Sequence, residues 1–149
     1  MNNQKFQFEY FDGQQIKDEQ PELLNQMKNV FKSRDCHKEG VLEFLDEESV
    51  VCCMFKEEEC VGFAWLTFCD EQHLSELCWF ATNKDKLSGI DAKLLLDKVF
   101  DYCKLREIKS VKFNCFDESW DRIKNKEQLF KKFGYNVSQD ELYDMSIDL

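Results

Sequence analysis

Apolar positions in this chain recur with two distinct periods. Residues Lys5 to Phe11 alternate, with Phe6, Phe8 and Tyr10 on one side and Gln7 and Glu9 on the other. A period of two predicts a half-buried strand, and Asp12-Gly13 ends it. Pro21, the only proline, suits the first turn of a helix. Leu23, Leu24, Met27, Val30 and Phe31 then keep helical spacing to about Arg34. Asp35 to Gly40 reads as a turn, and Val41 to Leu45 as either a short helix or an extended connection. Ser49 to Phe55 and Cys60 to Phe68 read as strands joined by a charged hairpin turn, Lys56 to Glu59. The second of them is nearly all apolar, which predicts a central place in a sheet.

After a turn at Asp70 to Gln72, Leu74 to Thr82 reads as a further strand. Ile90, Leu94, Leu95, Val99, Tyr102 and Cys103 make a helical stripe expected to face the core from Ile90 onward. Ser110 to Phe116 is another strand, and strand, helix and strand in succession predict a right-handed crossover. Glu118 to Phe133 contains a helix that Gly134 caps. Tyr135 to Leu149 reads as two short strands or a hairpin. The elements together predict a mixed α+β or α/β sheet.

Length and composition narrow the class. The chain has 149 residues, 43% hydrophobic and 14% aromatic, which predicts one domain over residues 1–149 with a real core. No apolar run is long enough to span a bilayer, and the first residues carry no basic leader or apolar stretch, so a cytoplasmic protein is expected. The net charge of -10 disfavours nucleic acid and anionic membrane surfaces as partners. The same field draws in a cationic substrate such as an amine. Of the 8 cysteines, Cys52, Cys53, Cys60, Cys69, Cys78, Cys103 and Cys115 sit in apolar runs and read as small core hydrophobes. No Cys-x-x-Cys occurs, and Cys36-His37 and Cys69 with His73 lack zinc spacing, so no metal is expected.

The junction KLSGIDAKLL, from Lys86 to Leu95, carries the candidate chemistry. Gly89 lets a bound group approach the backbone. The first helical amides behind it lack internal partners and carry partial positive charge, which suits a phosphate. An ordinary strand-to-helix turn, with Asp91 favouring the dipole, satisfies the same local chemistry. The segment resembles motif A of the GCN5-related N-acetyltransferase (GNAT) superfamily. Lys86 stands where an Arg or Gln is usual, Gly89 matches the first glycine, and Asp91 takes the place of a second small residue. LSELCWFAT lies where the family has its fourth strand. LFKKFGY resembles the closing signature, through Phe130, Gly134 and Tyr135. The order of elements agrees over nearly the whole chain.

That resemblance implies a single-domain α/β GNAT-like fold. Its central sheet is mixed and mostly antiparallel, with helices on both faces and splayed fourth and fifth strands. It implies an acyl-coenzyme A-dependent N-acetyltransferase that moves an acetyl or short acyl group from acetyl-CoA to a primary amine by direct attack. The pyrophosphate would rest on Lys86, Leu87, Ser88, Gly89, Ile90, Asp91 and Ala92. The pantetheine arm would pair near Phe80, Ala81 and Thr82. Glu76, mid-strand in an apolar run, matches the fourth-strand glutamate that serves as base, and burial there would raise its pKa. As the residue of an alternating strand it could equally face solvent. His73 is a second candidate base, read more simply as a surface histidine. Asp117 and Glu118 would bind the amine's charge or cap a helix. Trp65, Trp79 and Trp120 would line an acceptor pocket or, for the first two, fill the core.

Phe130 stands where a tyrosine often acts as general acid, a role a phenyl ring cannot fill. Tyr102 and Tyr135 are the nearest tyrosines in the sequence. The acceptor is a small-molecule or peptide amine, with a cationic one favoured by the acidic chain. Many relatives pair through strands, so a homodimer is among the implied states. Two other classes fit the sequence: a catalytically impaired acyl-CoA-binding or regulatory module on this fold, and a thiol-rich interaction protein with a mixed sheet.

Overall fold

The computed structural model describes residues 6–113, 127–139 and 145–149. Strand β1 (Gln7–Asp12) leads into helix α1 (Gly13–Glu19) and helix α2 (Pro21–Ser33), followed by a 3-10 turn over Glu39–Phe44. Strands β2 (Val50–Lys56), β3 (Glu59–Cys69) and β4 (Leu74–Thr82) come next, then helix α3 (Gly89–Leu105) and strand β5 (Ser110–Phe113). Residues 127–132 are helical, and β6 (Asn136–Ser138) and β7 (Met145–Asp148) close the chain. The strands form a seven-stranded sheet in the order β1-β2-β3-β4-β5-β7-β6. Pairings β1–β2, β2–β3, β5–β7 and β6–β7 are antiparallel, and β4–β5 is parallel. The fold is α/β with a mostly antiparallel open sheet, as expected.

Contacts divide the chain into two compact units, Met1–Leu66 with Trp79–Val99, and Thr67–Cys78 with Phe100–Leu149. In the first, β3 is buried on both faces from Cys60 to Leu66, the central strand its composition predicts. Helix α2 begins at Pro21 and buries Leu23, Met27, Val30 and Phe31. The Phe31 ring meets Phe63 edge-on at 5.4 Å and Trp79 at 5.7 Å. The β2–β3 hairpin turns at Glu57 and Glu58, with φ of 52° and 68°. Two left-handed residues in succession match the right-handed twist of the flanking strands.

Helix α1 has no counterpart in the sequence reading. Its only fully buried large side chain is Ile16, so there is no apolar period to detect. Capping and tertiary bonds make it. Asp12 accepts from the Gln15 amide at 2.7 Å, while the Gly13 and Gln14 amides donate to the Ser49 and Asp46 carbonyls at 2.9 and 3.0 Å. A Cβ on Gly13 would lie 2.8 Å from the Asp46 carbonyl oxygen and 2.9 Å from its nitrogen. Only glycine lets the two backbones approach this closely.

In the second unit, β4 pairs with β5 through Leu74–Glu76 and Ser110–Lys112 only. Beyond Glu76, β4 runs on through Thr82 with no β5 partner among the described residues. That short ladder agrees with the expected splay of the fourth and fifth strands. The helical residues 127–132 end as expected at Gly134, with φ of 96°. The Tyr135 amide bonds the Phe130 carbonyl and the Gly134 amide bonds that of Lys131, at 3.2 and 3.0 Å, which is a Schellman closure. Arg106 grips both oxygens of Asp70 at 3.0 Å and lies 3.8 Å above the Phe68 ring.

Two packing expectations need correction. Ile90 is 76% and Leu94 43% exposed, so the α3 stripe does not start at Ile90. The buried residues are Leu95, Leu96, Val99, Phe100 and Cys103. At about 100° per residue, Ile90 and Leu94 fall on the far side of the helix from Val99 and Cys103. Cys69 is exposed and Cys78 half-buried, since the end of β3 and the alternate face of β4 lie outside the core. Cys52, Cys53, Cys60 and Cys103 are buried, as expected.

Two predictions follow from this packing. Gly13→Ala gains helix propensity but forces Asp46 aside. Overpacking against backbone costs about 1–3 kcal/mol, so urea denaturation should show a net loss of stability; unchanged stability would refute the close approach. The Arg106 guanidinium holds the Asp70 carboxyl below the ordinary aspartate range. The unfolded chain therefore takes up this proton first. The pair's contribution is complete at neutral pH and is lost as the pH falls below the ordinary aspartate value. Following Asp70 by NMR titration should show its pKa rise in Arg106→Gln.

Candidate functional site

The strand end, turn and helix start from Phe80 to Ala92 all lie in the first unit. Phe80 is half-buried, Ala81 and Thr82 are buried. Thr82 is already held: Arg34, at the C-cap of α2, donates from Nε to the Thr82 carbonyl at 2.6 Å and from a terminal nitrogen to Thr82 Oγ1 at 2.7 Å. Its carbonyl thus already accepts one hydrogen bond, from a charged donor. Asn83 then organises the turn. Its amide donates to the Val61 carbonyl at 2.7 Å, and its own carbonyl accepts from the Lys86 and Leu87 amides at 3.2 and 3.0 Å. Its side-chain oxygen accepts from the Asp85 amide at 3.0 Å. The hydroxyl of Ser33, on α2, accepts from the Lys84 amide at 3.1 Å.

The start of α3 is built by Ser88 and Asp91. Asp91 Oδ2 accepts from the Ser88 amide at 2.9 Å and from its hydroxyl at 3.1 Å. A side chain in the first turn reaching back to the residue before the helix is half of a capping box. The Ala92 amide donates to the Ser88 carbonyl at 3.1 Å. The cradle is therefore narrower than the seven residues expected. The amides of Lys86, Leu87, Ser88 and Ala92 are bonded internally, while those of Gly89, Ile90 and Asp91 have no acceptor among the described residues. Nothing lies within 4 Å of a Cβ placed on Gly89, so the space beside that residue is open. Three free donors at the positive end of a helix dipole make an anion-binding surface. Two nearby lysines are ion-paired. Lys86 forms an ion pair with Glu59, and Lys93 one with Asp97 at 2.8 Å.

Glu76, in the second unit, is half-buried on β4, in register opposite Lys112 of β5. Its neighbours Ser75 and Leu77, on the other face of the strand, are the buried ones. Glu76 is thus neither buried like these neighbours nor fully exposed. His73 is exposed with φ of 54°, its Nδ1 3.0 Å from the Glu107 carbonyl, and reads as a surface turn residue. Phe130 packs edge-on against Phe113 at 5.4 Å and lies 6.3 Å from the Tyr135 ring. Tyr102 stacks edge-on with Phe68 at 5.9 Å. Trp65 is buried, with an indole nitrogen that finds no partner among the described residues, and Trp79 is half-buried against Phe31. Trp120, Asp117, Glu118 and Cys115 lie outside the described residues.

The thiols of Cys52, Cys53 and Cys103 are not activated. Burial pushes the pKa of Cys52 and of Cys103 up to about 11. The Cys60 thiol beside it, together with burial, raises that of Cys53. Such cysteines are protonated at neutral pH and poor nucleophiles. Among the described residues no cluster of three His, Cys, Asp or Glu side chains is placed to hold a metal, and no helix is long and apolar enough to cross a membrane. Arg34, Ser33 and Asn83 were invisible to sequence reasoning. Only the helix-ending position of Arg34 hinted at a role, through its charge beside the negative end of the dipole.

One outcome follows directly from the capping geometry. Asp91→Ala removes both bonds to Ser88 and should cost about 1 kcal/mol in urea denaturation. It should also speed hydrogen exchange at the Ser88 amide; unaltered exchange there would refute the cap.

No family model and no curated protein matches the chain. Solved structures do. GCN5 of Tetrahymena superposes with a TM-score of 0.67 at 14% identity, over 95% of this chain and 94% of that one. The PaiA N-acetyltransferase of Thermoplasma acidophilum, in complex with coenzyme A, gives 0.59 at 12% over 97% and 99%. The aminoglycoside 6′-N-acetyltransferase of Enterococcus faecium gives 0.65 at 13% over 95% and 93%. Identities this low speak for the path of the backbone, and on that ground the chain has the fold of the GCN5-related N-acetyltransferases.

Proposed function

We propose that this chain transfers an acetyl or short acyl group from acyl-coenzyme A to a primary amine. The observation that carries the reading is the set of open amides at Gly89, Ile90 and Asp91, at the head of α3 in this fold. The diphosphate of coenzyme A is the anion such a surface suits. Within the proposed binding segment, these residues would meet the phosphates directly. Lys86, Leu87, Ser88 and Ala92 would shape the turn around them. Phe80 and Ala81 would flank the pantetheine arm, and Thr82 would hold the strand end through Arg34. Bound acyl-coenzyme A supplies an activated thioester carbonyl.

Glu76 is the proposed base. It would take a proton from the substrate ammonium, so that the free amine attacks the carbonyl without a covalent enzyme intermediate. The raised pKa values of the buried Cys52 and Cys103 thiols suit that direct route. The net charge of -10 favours a cationic acceptor. Solved proteins of this fold include an aminoglycoside acetyltransferase and a ribosomal-protein-S18-alanine N-acetyltransferase, so a small amine and a peptide amine both belong to the proposed acceptor class. Dependence on coenzyme A would place the protein in the cytoplasm.

A second reading, an acyl-coenzyme A-binding module without turnover, is favoured by two observations. Phe130 cannot protonate a leaving thiolate, and the Asp91 carboxylate stands at the head of the phosphate loop. The readings separate in one experiment. Acetyl-coenzyme A should give saturable heat in calorimetry, and an amine panel should show turnover that Glu76→Gln lowers by about 100-fold at neutral pH. Heat without turnover selects the binding module. No heat refutes both.

A further inference from the structure

The turn that leads into α3 is attached to the first residues of β3 at two points. The Asn83 amide donates to the Val61 carbonyl at 2.7 Å, and the Lys86 ammonium donates to the Glu59 carboxylate. All four residues belong to the first unit. Backbone bonding places Glu59. It pairs with Lys56 across the β2–β3 hairpin, whose turn Glu57 and Glu58 make in the left-handed region. The amide of the next residue, Cys60, donates to Gln26 Oε1 at 2.8 Å. The sheet thus sets this carboxylate beside Lys86, 27 residues away in the chain.

The two attachments differ in kind. The backbone bond fixes the course of the turn. The ion pair adds little to that, because its side chains are 41% and 39% exposed and pairs in such surroundings are weak. It does decide where the ammonium lies. Lys86 stands three residues before Gly89, the first of the open amides, a stretch that spans at most ~11 Å. Once Glu59 releases it, the flexible lysine stem can turn its charge toward a phosphate held on those amides. A diphosphate attracts the ammonium more strongly than one carboxylate does, since it carries more negative charge. What the exchange gives up is the pair with Glu59.

We propose that Glu59 lowers the affinity for the diphosphate of coenzyme A by holding Lys86 on its own carboxylate. On binding, the ammonium passes from the carboxylate to the phosphate, and Glu59 is left to solvent. Glu59 is a positioning residue that acts through Lys86 without touching the ligand. The inference rests on the coenzyme A site proposed above. The sign of the effect sets it apart from the alternatives. A carboxylate that merely anchored the turn would strengthen binding, and one that merely repelled the ligand would act alike with or without Lys86.

Calorimetry with coenzyme A on the full chain, at fixed ionic strength, compares the parent, Glu59→Gln, Lys86→Gln and the double variant. Both side chains lie at the surface, so these substitutions leave the core untouched. Glu59→Gln should tighten binding by about two- to fivefold, the range an exposed ion pair allows. In the Lys86→Gln background the same substitution should change the affinity by less than about 1.5-fold. Unchanged or weaker binding in Glu59→Gln overturns the inference, and so does an equal gain in both backgrounds. Either of those results leaves the coenzyme A reading standing. Heat from none of the four proteins overturns that reading, and the inference falls with it.

Discussion

The grip of Arg34 on Thr82 fixes the frame on which the candidate site stands. One guanidinium donates to the carbonyl and the hydroxyl of the last residue of β4, at 2.6 and 2.7 Å. Hydrogen bonds from a charged donor contribute about 1.5–3 kcal/mol each when water is partly excluded. The cation also sits where the dipole of α2 ends, which favours it there. With the strand end pinned, Asn83 can bond back to Val61 and gather the amides of Lys86 and Leu87. The chain is then turned so that α3 starts at Gly89 with open donors. A shift in the strand end would carry the whole turn with it.

The polarity of this surface comes from backbone more than from side chains. A helix start carries about half a positive charge. Asp91 offsets part of it, and Lys86 and Lys93 are paired with Glu59 and Asp97. In a chain of net charge -10 this leaves a small, local positive surface in a negative field. Such an arrangement admits an anion through directed hydrogen bonds while the wider field favours a cationic second substrate.

Much of the fold was legible along the chain. β4 has the bounds its alternation suggested, and Pro21 and Gly134 mark the ends they were read to mark. The hairpin at Glu57 and Glu58 follows from a charged break between two apolar runs. Helix α1 was not legible, because one buried side chain makes no period and its first amides are satisfied by Asp46 and Ser49. Ile90 and Leu94 are apolar yet exposed, on the opposite side of α3 from Val99 and Cys103, so apolar character alone does not mark its buried side. Of the site, the position of Gly89 was visible, whereas the pairing of Lys86, Leu87 and Ser88 was not.

The sequence by itself determined the kind and order of the elements, since hydrophobic period, proline, glycine and turn residues act over a few neighbouring positions. It also determined that a glycine would open α3 after an apolar strand. Only the tertiary structure decided which amides of that junction stay open and which are taken. Arg34 and Thr82 are 48 residues apart, and Asn83 and Val61 meet only because β3 and β4 are neighbours in the sheet. Donors and acceptors so distant are paired by the fold, and local pattern carries no record of them.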